Sequence, residues 1–200
     1  MNALLLITPP ALEPVTIAEA KAHCRVDGAQ DDALLTSLIV AARLVAEIQL
    51  SRALLTQTLR LLCDDVPEGD ILELPRAPLQ SITHVKTYDD ADVATTYAAA
   101  NYFADTANQP GRLVLRQGSG WPQPGRHANG FEVQYVAGYG SSASDVPMPI
   151  RQGILAHVAH LYRHRGDDLQ REGQPDPRAI AVPNEALALF APYRIMRGVT

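Results

Sequence analysis

The 200-residue chain is poor in cysteine, with two, and in large aromatics, with one tryptophan and three phenylalanines. Cys24 and Cys63 both lie in apolar periodic segments, which points to buried free thiols rather than a disulfide and suits a reducing compartment. The apolar run Ala3-Leu4-Leu5-Leu6-Ile7 has no basic residue before it and is far too short to cross a bilayer. It reads as an N-terminal arm or strand that packs on another element, and neither export nor a membrane partner is expected. Clustered Lys and Arg are also lacking, which argues against tight nucleic-acid binding, since that depends on neutralising phosphates. The net charge is −5, unevenly spread. Residues 64–110 hold nine acids against Arg76 and Lys86, a net of −7, which leaves the remainder at +2. The hydrophobic share of 46% with 20% charged residues describes a globular chain able to bury a core.

What is present begins with two helices back to back over residues 14–52. Thr16 followed three residues on by Glu19 is a capping box, and Ile17, Ala20 and Cys24 recur at helical spacing. Asp27-Gly28-Ala29-Gln30 is read as the stop, glycine relieving the left-handed conformation that helix ends favour. Asp31 or Asp32 starts the second helix. Leu34, Leu35, Leu38, Ile39, Ala42, Val45, Ala46 and Ile48 give it an apolar stripe wide enough to need covering by other helices. Arg43 and Glu47, four apart, are placed on its solvated side.

From residue 53 the period shortens. Leu54–Asp64, Ile71–Pro75, Leu79–Tyr88, a pair of short strands within Thr95–Phe103 kinked at residues 98–101, Arg112–Arg116 and Phe131–Gly140 all read as strands. The turn signals between them predict a small antiparallel sandwich or barrel-like domain of six or seven strands. Helix resumes near Pro147, with Asp145 as N-cap and Ile150, Ile154, Leu155, Val158, Leu161 and Tyr162 on one face. Residues 167–178 read as a mobile loop. A short helix capped by Asn184 follows, then an apolar and basic tail. The fold class is α+β: a small helical bundle, made of an N-terminal hairpin and C-terminal helices, with an inserted antiparallel β domain. Its segments are 1–52 (arm and hairpin), 53–145 (β insertion), 146–192 (C-terminal helices) and 193–200 (a C-terminal docking arm).

Candidate chemistry is thin. His157, His160 and His164 share a helical face, but no general-base Glu follows the first, so a solvated or subunit-contacting face is the better reading than a zinc site. Gly118-Ser119-Gly120 lacks the lysine and following helix of a phosphate loop. No Gly-x-Ser-x-Gly is present, and Cys24 has no catalytic partner pattern despite His23. The Asp pairs at 31–32, 64–65, 89–90 and 167–168 sit at turns or helix starts, where capping accounts for them. No enzyme, metal or cofactor is expected. Trp121 and Tyr139, in glycine-rich loops, suit either interface anchors or packing over a sheet edge. Tyr193-Arg194-Ile195-Met196-Arg197 suits an arm that orders on a partner.

In order along the chain, Pro14–Asp27, Asp31–Ile39, Arg52–Thr58, Leu74–Ile82, Pro110–Leu115, Tyr135–Gly140, Val146–Ile154 and Ala191–Arg194 resemble the tailed-phage head–tail connector (adaptor) proteins. The similarity is to the longer connectors of phages, prophages and gene transfer agents that carry a β insertion. It implies a structural virion protein at the head–tail neck of a phage or phage-like particle, made in the bacterial cytoplasm and assembled as a ring, typically a dodecamer. The implied partners are the portal protein, the next neck protein on the stopper or tail-terminator side, and other copies of the chain. DNA would pass through the channel without sequence-specific binding. On that reading residues 193–197 dock on the portal, while Trp121, Tyr139, His157, His160 and His164 make subunit or neck contacts. Asp64, Asp65, Glu68, Asp89, Asp90 and Asp92 are candidates for facing the channel, where like charge would repel DNA. The alternative is a helix-turn-helix regulator built on the 16–52 hairpin. Its recognition helix would open Asp31-Asp32, which phosphates repel.

Overall fold

A computed structural model describes residues 2–164 and 181–195. The chain forms two compact units, one of Met1–Ala11 with Leu55–Ser141 and one of Leu12–Leu54 with Ser142–Thr200. The first strand thus groups with the sheets rather than with the helical hairpin it precedes, because its backbone pairs with a strand more than fifty residues downstream.

The β unit has eight strands among the described residues, all antiparallel: β1 Asn2–Thr8, β2 Gln57–Cys63, β3 Ile71–Leu74, β4 Leu79–Tyr88, β5 Ala94–Tyr97, β6 Tyr102–Asp105, β7 Gly111–Leu115 and β8 Phe131–Ala137. One sheet runs β1-β2-β8-β4-β5 and the other β3-β7-β6. The larger sheet ends in β1 on one side and β5 on the other, so no closed barrel forms. Alternation decides the inward face. Leu59, Leu61 and Cys63 of β2 are buried beside Phe131, Val133, Tyr135 and Ala137 of β8, and Leu74, Leu113 and Leu115 fill the smaller sheet. The Tyr135 hydroxyl, deep in this core, donates to the Pro75 carbonyl at 2.7 Å. Burial pushes the Cys63 thiol up, and neither cysteine is in a disulfide.

The opposite face of β8 carries Glu132, also buried. His84 Nε2 lies 2.7 Å from its carboxylate and the Tyr88 hydroxyl donates to it at 2.8 Å, while Arg60 approaches to 3.5 Å. Burial alone would raise the Glu132 pKa; the bonds from His84 and Tyr88 and the Arg60 charge outweigh it and hold the carboxyl below its ordinary value.

The helical unit has α1 Ile17–Cys24, α2 Asp32–Leu50, α3 Met148–Arg163 and α4 Asn184–Phe190. The capping box forms: Glu19 N–H donates to Thr16 Oγ1 at 3.2 Å and Thr16 N–H to Glu19 Oε2 at 2.7 Å. α1 ends earlier than the glycine signal suggests, with Arg25 itself left-handed at φ 56°. α3 is capped by Pro147 rather than Asp145, which closes a short turn of its own with Ser142, and α4 follows Pro183 with Asn184 already helical. α3 packs on the other three helices. Ala20, Ile39, Ala42, Ala46, Leu50, Ile150, Ile154, Val158 and Phe190 form the core. The loop expected over residues 167–178 lies outside the described residues.

Gly138 closes β8 at φ +135°, where a Cβ would run into the Leu55–Thr56 backbone. Gly138→Ala should therefore destabilise the β unit by about 2 kcal/mol or more, through strain and overpacking, read as a lower urea midpoint. A second outcome concerns acid. A carboxyl depressed in the folded state lends stability that is complete above its unfolded pKa and is lost as pH falls through the folded value. Glu132→Gln should accordingly flatten the fall of Tm below pH 4.5, the ordinary glutamate value, relative to the parent chain.

Candidate functional site

The surfaces with most to say are those where charge and apolarity fall on unexpected sides. On α2, Arg43 and Glu47 point into the helical unit and are only 6% exposed each, which corrects their placement on the solvated side. Arg43 Nε donates to Glu13 at 2.7 Å and its Nη1 to Glu47 at 3.2 Å, while Glu47 Oε1 accepts the Leu54 N–H at 3.0 Å. Guanidinium geometry lets one side chain join the segment before α1 to the helix, and Glu47 extends the link to the chain beyond it. Leu44 and Ile48 occupy the outside instead, 45% and 64% exposed. The helix is apolar on nearly every side, so the ion cluster, rather than the apolar periodicity, decides which way it turns.

The start of α2 is tied down in the same unit. The Tyr162 hydroxyl donates to Asp31, and Lys21 Nζ meets Asp32 at 2.8 Å. An acidic N-terminus engaged by α1 and α3 does not suit a recognition helix, and the regulator reading is not favoured.

The histidines of α3 separate. His157 is 1% exposed among the helices, so it cannot make the neck or subunit contact expected of it. Burial, with the neighbouring His160, lowers its pKa and keeps the ring neutral. His160 and His164 are half-buried with ring centroids 4.2 Å apart. Among the described residues no group of three His, Cys, Asp or Glu could hold a metal.

In the β unit, Trp121 is turned to internal use. Its Nε1–H donates to the Gly69 carbonyl at 2.6 Å and its ring meets Phe131 edge-on at 5.6 Å. Tyr139 is half-buried just past β8. The candidate acids come together in space. Asp64, Asp65 and Glu68 follow β2 and Asp89, Asp90 and Asp92 follow β4, and both strand ends flank the start of β8 at Phe131. The loop before β8 binds both groups, with Asn129 N–H donating to Asp64 at 3.1 Å and Arg126 pairing with Asp92 at 3.2 Å. Asp89 caps its own turn through the Ala91 and Val93 N–H groups. Asp65, Glu68, Asp90 and Asp92 stay exposed, which gives one end of the larger sheet a negative rim.

The C-terminal arm is rooted on the helical unit. Arg52 Nε donates to the Tyr193 carbonyl at 2.5 Å and Ile195 N–H to the Leu50 carbonyl at 3.1 Å. Arg194 is exposed, while Met196 and Arg197 lie outside the described residues. The sequence shows Arg43 and Glu47 only as a pair four apart and gives no sign of Glu13, thirty residues away; main-chain carbonyls such as those of the root leave no trace in it.

Residues 14–104 match the family of phage gp6-like head-tail connector proteins. The whole chain is similar to solved chains from gene transfer agents (GTA). A chain in the neck of an empty GTA particle, computed with C6 symmetry, superposes with a TM-score of 0.79 at 25% identity, covering 98% of this chain and 97% of that one. A chain from the virion of a native gene transfer agent gives 0.75 at 26% identity with the same coverage. One from the neck of a native GTA particle, computed with C12 symmetry, gives 0.73 at 25%, covering 100% and 97%. No curated protein matches. Fold, family match and end-to-end likeness define a structural protein of the head–tail neck, ring-forming within that neck. The chain is a head–tail connector (adaptor) of a tailed phage or phage-like particle.

Removing Arg43 leaves the buried Glu47 carboxylate without its counter-charge. Arg43→Ala should cost about 3–5 kcal/mol in urea unfolding of the full chain, whereas the exposed Arg194→Ala should change it by under about 0.5 kcal/mol.

Proposed function

We propose that the chain forms a ring, a dodecamer, seated beneath the portal, that it joins portal to the next neck protein on the stopper or tail-terminator side, and that DNA passes through its centre without sequence-specific contact. The observation that carries this is the match, along almost the whole of both chains, to a protein in a gene transfer agent neck computed with C12 symmetry. Residues 193–197 act as the portal-docking arm. Their root on Leu50 and Arg52 would hold the arm's exit point fixed while its apolar and arginine side chains engage the portal. The exposed acids beside β8 face the channel in this reading, where like charge would keep passing DNA from sticking. Trp121, Tyr139, His160 and His164, all half-buried, remain candidates for neck contacts.

Deletion of residues 193–200 should leave a folded protein, with the circular dichroism of the parent and a Tm lowered only by the loss of the two bonds at Arg52 and Leu50, yet abolish its co-sedimentation with purified portal rings and yield tailless, DNA-filled heads in the producing cell. Full tail joining by the truncated chain would remove the arm from this account.

A further inference from the structure

We propose that the outward face of α2 in one copy is buried against the α4 side of the next copy, so that the ring closes through a helix-on-helix contact between two different surfaces of the same unit. This rests on the ring reading above and assigns the surfaces that would make it.

The first surface is the outer side of α2. Ala33, Ser37, Ala41, Leu44 and Ile48 recur at helical spacing and are all exposed, with no charged residue among them. The two charges in the helix body, Arg43 and Glu47, are spent inward. The most apolar 18-residue window of α2 has a mean hydropathy of 1.7, although only 39% of that window is buried in the chain. A water-facing helix of this length ordinarily carries charges on its outer side. A lipid bilayer is an unsuitable cover, because the other side of α2 is locked to α3 and to the buried Glu13–Arg43–Glu47 cluster.

The second surface is on α4 and the turn after it. α3 packs against both α2 and α4, which touch each other little along their lengths and meet where Tyr193 and Ile195 reach the end of α2 at Arg52 and Leu50. Leu187 and Ala188 of α4 continue into Ala191 and Pro192 of the following turn, all exposed and uncharged, at positions that form a single helical ridge. Gly153 lets α4 seat closely on α3, since any Cβ there would strike the Phe190 ring. Cyclic rings need such a pair: a patch on one side of each subunit that meets a different patch on the next. The shapes also complement one another. Leu44 and Ile48, four apart, form a ridge of large side chains, and Ala188 and Ala191 leave a shallow place to receive it.

A photo-crosslinking amino acid at position 48 of the full chain, expressed in the producing cell, tests the pairing. Irradiated particles should give a band at twice the chain mass, with mass spectrometry placing the adduct within residues 187–192 of a second copy. Leu44→Glu with Ile48→Glu, and separately Ala188→Glu, should leave Tm unchanged and reduce incorporation into particles about ten-fold or more. Adducts on portal, on lipid or elsewhere on the chain, or normal incorporation of all the variants, would overturn the pairing while leaving the ring in place. If the parent chain in purified necks occurs as a single copy, the ring reading itself fails, and the pairing with it.

Discussion

Arg43, held between Glu13 and Glu47 inside a helical bundle, is the contact from which the rest of the helical unit takes its orientation. Taking two ionised groups, Arg43 and Glu47, out of water is expensive, and only close geometry offsets the cost. Here one guanidinium serves two carboxylates, and the spare oxygen of Glu47 receives the Leu54 N–H. The cluster gathers the approach to α1, the middle of α2 and the exit from it into one place. It also fixes the roll of α2 about its own axis. An apolar helix could bury either side, and the charges choose.

The β unit solves a different problem. Its core is ordinary alternation, but its loops are disciplined by polar contacts at one end of the larger sheet. Asp64, Asp89 and Asp92 are each engaged by neighbouring N–H groups or by Arg126, and Trp121 closes over Phe131. A connector must present the same loops from every copy. Turn acids that accept backbone hydrogen bonds hold the turns in one shape while leaving Asp65, Glu68 and Asp90 to project charge.

Much of this was legible beforehand, for identifiable reasons. Thr16 and Glu19 announce a helix start because the capping box is local chemistry, and β2, β4, β7 and β8 announce themselves by period-two alternation. The kink at residues 98–101 is likewise local, a short 3-10 turn between β5 and β6. The orientation of Arg43 and Glu47 was not legible, since charge at i and i+4 on a helix is nearly always solvated and the partner, Glu13, lies thirty residues away in sequence. His157 misled for the same reason: its periodicity with His160 and His164 is real, but a helix packed on three others has little solvated face to spare. The pairing of β1 depends on a strand beyond the entire helical hairpin, a separation no local pattern encodes.

That pairing has a consequence for synthesis. β1 is made well before its partner β2, and β2 and β4 are bridged only by β8, at residues 131–137. The helical hairpin, for its part, lacks α3 and α4 until the last quarter of the chain. The β unit cannot close before β8 is made, and the helical unit waits longer, for α3 and α4. Both are dominated by contacts distant in sequence, which slow folding. Until then an uncharged strand, Asn2–Thr8, waits with its backbone unpaired, a reason for the producing cell to shelter the growing chain.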